Sequence, residues 1–228
     1  MNHGCGALII LAKYPRPSRS KTRLIPKLGE VTASHISELF LIDLIRRFAL
    51  VEIRIIIAGA ENDAEEEFHN LFNKYAIQPN RIEIFLPRAG SMMGDIAAAY
   101  SFALQESKKA VLTAIDIPYL TAGMINKIFG YLDNYDLVFY PNFDGTACPQ
   151  GMKIFNDLFS DLPATLLSGW LPQIKSLKLS YKMLEPIFDI DKFADLEMFY
   201  SWQLFLEDSG DFEMFCPETM KFLKSLFG

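Results

Sequence analysis

Cysteine is scarce in this chain. Its 228 residues include three, Cys5, Cys148 and Cys216, set far apart. So sparse and odd a set supplies neither a disulfide framework nor a paired-cysteine zinc knuckle, and it predicts a reducing, cytoplasmic setting. Histidine is equally rare. His3 lies near the start, and His35 and His69 fall within or beside predicted helices, so no His/Cys cluster has zinc-ligand spacing and no imidazole stands out as a catalytic base. Long apolar runs are missing too. The first, residues 6–12, ends at Lys13, far short of the roughly 20 residues that span a bilayer, and no basic segment precedes it. The reading is therefore no transmembrane segment and no secretory signal. The chain also lacks a G-x-x-x-x-G-K-[ST] phosphate loop, a G-x-G-x-x-G turn after the first strand and a G-x-S-x-G elbow. No internal repeat or low-complexity tract is present.

What the chain does have is apolar mass. Half of its residues are hydrophobic, 13% are aromatic, and 19 are Phe. A chain of this size and content buries a sizeable core, which excludes wholesale disorder and makes one domain over 1–228 the expectation. Acidic residues (28) outnumber basic ones (22) for a net charge of −6, which argues against a general nucleic-acid binder. The positive charge is unevenly placed. Lys13, Arg16, Arg19, Lys21, Arg23 and Lys27 crowd into 13–27 with no acid among them, leaving 16 basic residues against 28 acidic ones elsewhere. Such a segment is either an ordinary solvated loop or a seat for a polyanion, most simply a chain of phosphates.

Its position favours the second reading. Residues 7–12 (ALIILA) form a continuous apolar run of the buried, parallel-sheet kind. After the basic loop, 32–50 has helical spacing, with Thr32 or Ser34 as its cap. Strands at 52–58, 81–86, 110–115 and 136–140 then alternate with helices at 63–75, 94–107 and 121–132. A short strand at 152–155, a strand at 177–184 and a helix at 191–206 follow. Repeated strand–helix units imply a mainly parallel α/β sheet with helices on both faces. Right-handed crossovers bring the strand C-terminal ends to one edge, where such sheets bind ligands. The basic loop leaves the first strand at that edge, and Asp116 ends a later strand there.

The available chemistry is then a basic loop and isolated carboxylates. Asp116 follows the apolar AVLTAI and precedes Pro118; a carboxylate at a strand mouth calls for a partner, either a divalent cation, a lysine or a helix N-terminus. Asp189 and Asp191 share a side of an extended segment and one could be a second metal ligand, while Asp191 is also a candidate cap for the next helix, with Asp195 in its first turn. The loop 142–146 at another strand end, with Asp144 and Gly145, is a turn signal and a candidate acceptor-binding element. The Phe-rich tail, 211–228, reads as a helical extension packed on the domain or on a second copy in a homodimer.

These residues also carry a resemblance. The segment 12–29, Ala-Lys-Tyr-Pro-Arg-Pro-Ser-Arg-Ser-Lys-Thr-Arg-Leu-Ile-Pro-Lys-Leu-Gly, resembles the opening of the radical-SAM/selenodomain-associated glycosyltransferase-like proteins. These belong to the nucleotide-diphospho-sugar transferase superfamily, with a three-layer GT-A fold and a mostly parallel central sheet, and are related to the phospholactate and molybdopterin guanylyltransferases. The similarity runs from about residue 7 to about residue 195. The family's Gly-Asp-x-Gly-x-Arg-Met is kept as Gly94-Asp95-Ile96 but then departs, with Ala97, Ala99 and Tyr100 in place of Gly, Arg and Met. Its Ser-Asp-x-Pro becomes Ile115-Asp116-Ile117-Pro118, and its Glu-Asp-Gly-Gly loop becomes Phe143-Asp144-Gly145-Thr146. Its closing Asp-x-Asp becomes Asp189-Ile190-Asp191.

The resemblance implies a transferase dependent on Mg²⁺ (or Mn²⁺) that uses a nucleoside triphosphate or a nucleotide sugar. Ala12, Lys13, Arg16, Lys21, Thr22, Arg23, Lys27, Gly94 and Asp95 would bind the nucleotide. Lys21, Arg23 and Asp116 would be catalytic, Asp116 and Asp191 would hold the metal, and Asp144 and Gly145 would meet a small-molecule acceptor. Transfer of a glycosyl group, or of a nucleotidyl group to a small phosphorylated acceptor, both remain open. The departures at Ala97 and Ala99, which remove room for a base and an anion contact, add an alternative: a nucleotide-binding or regulatory protein on the same fold that has lost catalysis.

Overall fold

A computed structural model of the chain describes residues 6–59, 64–78, 82–156, 158–159 and 166–228; His3 and Cys5, and the predicted element ends at Asp63 and Arg81, lie outside the described residues. The elements in order are β1 (Gly6–Ala12), α1 (Ile25–Leu28), α2 (Glu30–Phe48), β2 (Arg54–Gly59), α3 (Glu65–Lys74), β3 (Ile82–Phe85), α4 (Met92–Leu104) and β4 (Lys109–Ala114). They continue with α5 (Ala122–Tyr131), β5 (Leu137–Pro141), β6 (Ala147–Met152), α6 (Leu167–Ser176), β7 (Tyr181–Met183), α7 (Phe193–Ser209) and α8 (Pro217–Phe227).

The strands form one seven-stranded sheet in the order β3-β2-β1-β4-β6-β5-β7, parallel except for β6, which runs antiparallel to both neighbours. Period-two alternation divides β1 between two cores. Leu8, Ile10 and Ala12 join Phe40, Leu44 and Phe48 of α2 on one face, while Ala7 and Ile9 join Ile96, Tyr100 and Ala103 of α4 on the other. A helix–sheet–helix sandwich results, because the central strands are apolar on both faces and must be covered twice. Each fully buried Leu, Ile or Phe contributes about 1.5–3 kcal/mol relative to exposure. The chain leaves β1 toward β2 and β3 on one side, then returns to place β4 on its other side. The order reverses between β1 and β4, which makes their C-terminal ends the switch-point crevice.

The predicted mostly parallel α/β sheet is therefore present, with local departures. Helix α2 begins at Glu30 with Gly29 before it (φ +78°), not at the Thr32 or Ser34 cap; α1 ends at the residue before that glycine, so the two helices abut. The loop predicted over 141–151 and the strand over 152–155 give way to β6 at Ala147–Met152. Pro149 and Gly151 disguise that strand in the sequence. A Cβ at Gly151 would lie 2.5 Å from Cγ2 of Ile128, so the bare backbone is what lets α5 pack this closely. Helix α6, interrupted by Pro172, occupies a stretch with no helical reading, and only Tyr181–Met183 of the strand predicted over 177–184 pairs with the sheet. Thr121 caps α5 as expected, accepting from the Met124 N–H at 3.1 Å.

Helix α8 is tied to α2. Both oxygens of the buried Asp43 carboxylate accept hydrogen bonds from the N-terminal turn of α8, from Glu218 N at 3.0 Å and Thr219 N at 2.9 Å. Burial pushes the Asp43 carboxyl above its usual range, and these bonds counteract the shift. Among the described residues no helix is long and apolar enough to cross a membrane.

Candidate functional site

The loop after β1 is shaped by its own side chains. Leu24 is fully buried and anchors its far end. The buried Ser20 accepts from Arg16 N at 3.2 Å and donates to the Tyr14 carbonyl at 3.3 Å. The chain then passes through Lys21 at φ +48°, a left-handed conformation uncommon for a residue with a side chain. That turn directs Lys21 inward, where its side chain is 4% exposed.

Opposite stands the end of β4. Ile115 and Ile117 are buried in the core, and Asp116 between them is partly exposed. The backbone here also holds a third segment, because Ile190 N–H donates to the Asp116 carbonyl at 2.9 Å. Lys21 joins all three segments. Its ammonium forms an ion pair with Asp116, donates to the Ile190 carbonyl at 2.5 Å, and lies 3.6 Å from Asp191. Arg23 closes the set at 2.5 Å from the other Asp191 oxygen. The basic loop and the strand-end carboxylate thus meet in one cleft.

Asp191 is not the cap of the last long helix. Lys192 holds that position, and Asp195, three residues on in the first turn, reaches back to accept from the backbone N–H groups of Asp191 at 3.1 Å and Lys192 at 2.7 Å. The Asp191 side chain is left to face the cleft.

Two chambers open on this cleft. The first, about 830 Å³, carries Lys13, Arg19, Lys21, Arg23 and Arg88 against Asp95, Asp116 and Asp191. Its basic side chains outnumber its acidic ones five to three. The second, about 340 Å³, reverses the balance, with Arg23 against Asp116, Asp144, Asp189 and Asp191. Asp116, Asp191 and Arg23 line both and so stand at the boundary.

In the second chamber, one carboxylate oxygen each from Asp144, Asp189 and Asp191 lie within 4.8 Å of one another. Ile187 N–H donates to the Pro141 carbonyl at 3.0 Å, which runs this segment alongside the end of β5 and brings Asp189 near Asp144. Burial, and then the neighbouring Asp144 charge, push the Asp189 carboxyl up to about 6. Three oxygens so placed are a hard-ligand set of the kind Mg²⁺ or Mn²⁺ takes, and mutual repulsion among their charges is what a dication would relieve. The residues present therefore fit such an ion. Asp116 stands apart from this group, engaged by Lys21.

Of the predicted nucleotide-binding residues, Lys13, Lys21, Thr22, Arg23 and Asp95 line the first chamber. Asp95 also accepts from Ala89 N at 3.2 Å and so braces the approach to α4. Arg16 does not line it; its guanidinium pairs with Glu67 on α3 and lies over the Tyr14 ring. Lys27 is exposed on α1, and neither Ala12 nor Gly94 reaches either chamber wall. Asp144 lines the second chamber and accepts from Thr146 N at 2.8 Å, while Gly145 (φ +89°) supplies the turn. Ala97 and Ala99 are buried in the α4 core and line neither chamber. The departures there are packing features of α4.

Sequence reasoning missed Arg88 and Ser91, which line the first chamber, and Gln150 and Trp170, which line the second. Arg88 follows β3 at the same sheet edge, so the strand-end rule that singled out Asp116 could have found it. Cys148 also lines the second chamber, but burial pushes its thiol up to about 12, the opposite of an activated nucleophile.

No family model matches the chain, and no curated protein matches it. Solved structures do. The chain is similar to a protein from Desulfovibrio desulfuricans G20 assigned as a nucleotide-diphospho-sugar transferase, at 21% identity and a TM-score of 0.82 over 96% of this chain and 94% of the other. It is also similar to 4-diphosphocytidyl-2C-methyl-D-erythritol synthase from Anaerococcus prevotii (12% identity, TM-score 0.59, 89% and 97% covered). A third likeness is to CMP:2-keto-3-deoxy-manno-octonic acid synthetase in complex with CTP (10% identity, TM-score 0.54, 88% and 99% covered). With its seven-stranded, mostly parallel sheet between helical layers, the chain has the nucleotide-diphospho-sugar transferase fold.

Proposed function

We propose that this protein is a transferase that uses a nucleotide donor, with the donor phosphates in the first chamber and a small acceptor in the second. The observation that carries this reading is the meeting of the loop after β1 with Asp116 and Asp191 at the switch point, between a basic chamber and an acidic one. The fold likeness, which includes a protein bound to CTP, supports it. The narrower kinship with the radical-SAM-associated proteins rests on residues 12–29.

Lys13, Arg19, Lys21 and Arg88 bind and orient the donor phosphates, supplying the positive charge that a departing phosphate group needs. The acceptor atom bonds to the transferred group as the bond from that group to the leaving phosphate oxygen breaks, and an acceptor hydroxyl gives up its proton to a carboxylate of the second chamber. The leaving nucleoside diphosphate, or pyrophosphate, stays on the basic loop. Asp144, Asp189 and Asp191 would hold Mg²⁺ or Mn²⁺, with Asp116 beside them; the ion, when bound, would neutralise phosphate charge. Arg23, shared by both chambers, holds Asp191 in place.

One observation favours a second reading, nucleotide binding without turnover. The Lys21 ammonium lies between Asp116 and Asp191, a position a metal would otherwise share. Thermal melting with Mg²⁺ and a panel of nucleotides and nucleotide sugars tests binding, since a ligand of the folded state raises Tm by mass action. Phosphorus NMR of the bound donor separates the two readings: a new leaving-group resonance on adding an acceptor indicates transfer, and an unchanged donor indicates binding alone. No shift with any nucleotide overturns both.

A further inference from the structure

We infer that the second chamber takes an uncharged, hydroxyl-rich acceptor of about one sugar ring, not a phosphorylated one. The inference rests on the reading of the first chamber as the donor site and specifies what its neighbour receives.

Among the described residues, five buried side-chain polar atoms have no hydrogen-bond partner, and three belong to residues lining this chamber: Asn142 Oδ1, Gln150 Oε1 and Trp170 Nε1. The residues are 7%, 2% and 3% exposed. A buried polar atom without a partner costs about 1–3 kcal/mol, so three around one cavity point to a ligand that satisfies them. Two are acceptors and call for donors; the third is an N–H and calls for an acceptor. A hydroxyl group does both. A phosphate dianion offers no donor to Asn142 or Gln150, and an ammonium offers no acceptor to Trp170.

Charge points the same way. Four carboxylates face a single guanidinium here, so a divalent cation on the aspartates still leaves the chamber formally negative. A phosphomonoester would enter against that field, whereas a neutral polyol would not. The chamber's volume is at the small end of the range for small-molecule sites. A hydroxyl acceptor removes one branch of the proposed chemistry, nucleotidyl transfer onto an acceptor phosphate.

The test is saturation-transfer NMR on the full chain with Mg²⁺, with and without CTP, GTP and UDP-glucose. The probes are glucose, mannose, N-acetylglucosamine and myo-inositol, each beside its monophosphate. At least one neutral probe is expected to bind more tightly than its phosphate. Trp170→Phe and Gln150→Met should each weaken it about tenfold while nucleotide affinity, followed separately by phosphorus NMR, stays unchanged. Gln150→Met replaces an unpartnered polar group with an apolar one of similar size, so its ligand-free Tm should hold or rise, and a merely structural role predicts a fall; Trp170→Phe also loses packing on Phe139 and Phe159, so only its sugar affinity is read. Absence of binding by every neutral probe, tighter binding of the phosphates, or unchanged sugar affinity in both variants overturns the inference. Loss of nucleotide binding alone overturns the donor reading instead, and the sugar result remains readable.

Discussion

Lys21 and Asp116, on the loop after β1 and at the end of β4, form an ion pair that also draws in Asp191, 3.6 Å from the same ammonium. Lys21 is nearly enclosed, and Phe40 lies beneath its ammonium at 5.5 Å from the ring centre. Removing the cation leaves Asp116 without its ion-pair partner in a partly dry cleft, while Asp191 keeps Arg23. Lys21→Met is therefore expected to lower stability by about 2 kcal/mol in urea unfolding. In a double-mutant cycle with Asp116→Asn, the two losses should fall short of additivity by about 1 kcal/mol. Full additivity would show that the pair is not coupled.

The loop's cations divide by where they point. Lys13 and Arg19 line the first chamber, whereas Arg16 pairs with Glu67 and Lys27 sits on α1. Lys13→Ala and Arg19→Ala should each weaken nucleotide binding about tenfold, and more at low salt than at high salt. Arg16→Ala and Lys27→Ala should change it less than twofold. Calorimetric titration of the four variants checks the division, and equal effects from all four would refute it.

Three of the second chamber's four carboxylates converge, those of Asp144, Asp189 and Asp191. Asp189→Asn relieves their repulsion, so the variant should melt higher than the parent in a chelator. It should also lose most of the stabilisation that the parent gains from millimolar Mg²⁺. A parent Tm that ignores both Mg²⁺ and Mn²⁺ would count against a metal there.

Asp136, at the edge of β5, accepts from Ser180 Oγ at 2.6 Å and Ser180 N at 2.9 Å, with Lys153 3.7 Å away. The Ser180 hydrogen bonds, then the lysine charge, hold its carboxyl below the usual range. A depressed value means that the folded state favours the charged form. Its contribution is present above the ordinary aspartate pKa and is lost as pH falls through the depressed value. Because the carboxylate is a third exposed, Asp136→Asn should cost less than about 1 kcal/mol at pH 7. The gap should close on acidification below about pH 4, as read by chemical unfolding at a series of pH values.

Much of the architecture was legible because buried parallel strands declare themselves. ALIILA in β1 and AVLT in β4 are continuous apolar runs that only a doubly covered strand explains, and the basic loop and Asp116 follow them directly. The middle of the sheet was not legible at β6, where Pro149 and Gly151 read as loop and burial against α5 overrides local preference. The first chamber followed from charge and strand ends. The second chamber did not: Gln150 sits on the disguised strand and Trp170 on a helix that contains Pro172. Arg16 shows the opposite limit, since sequence places it within the basic cluster while the three-dimensional partner on α3 draws it away.

The most direct test of the central claim is calorimetric titration of the purified chain with CTP, GTP, UDP-glucose and GDP-mannose in Mg²⁺, run beside the doubly substituted Lys13→Ala/Arg19→Ala protein. The account predicts saturable one-site binding of at least one of these, lost in the double variant while its Tm is retained. Binding that survives the substitution, or no binding of any nucleotide, would contradict it.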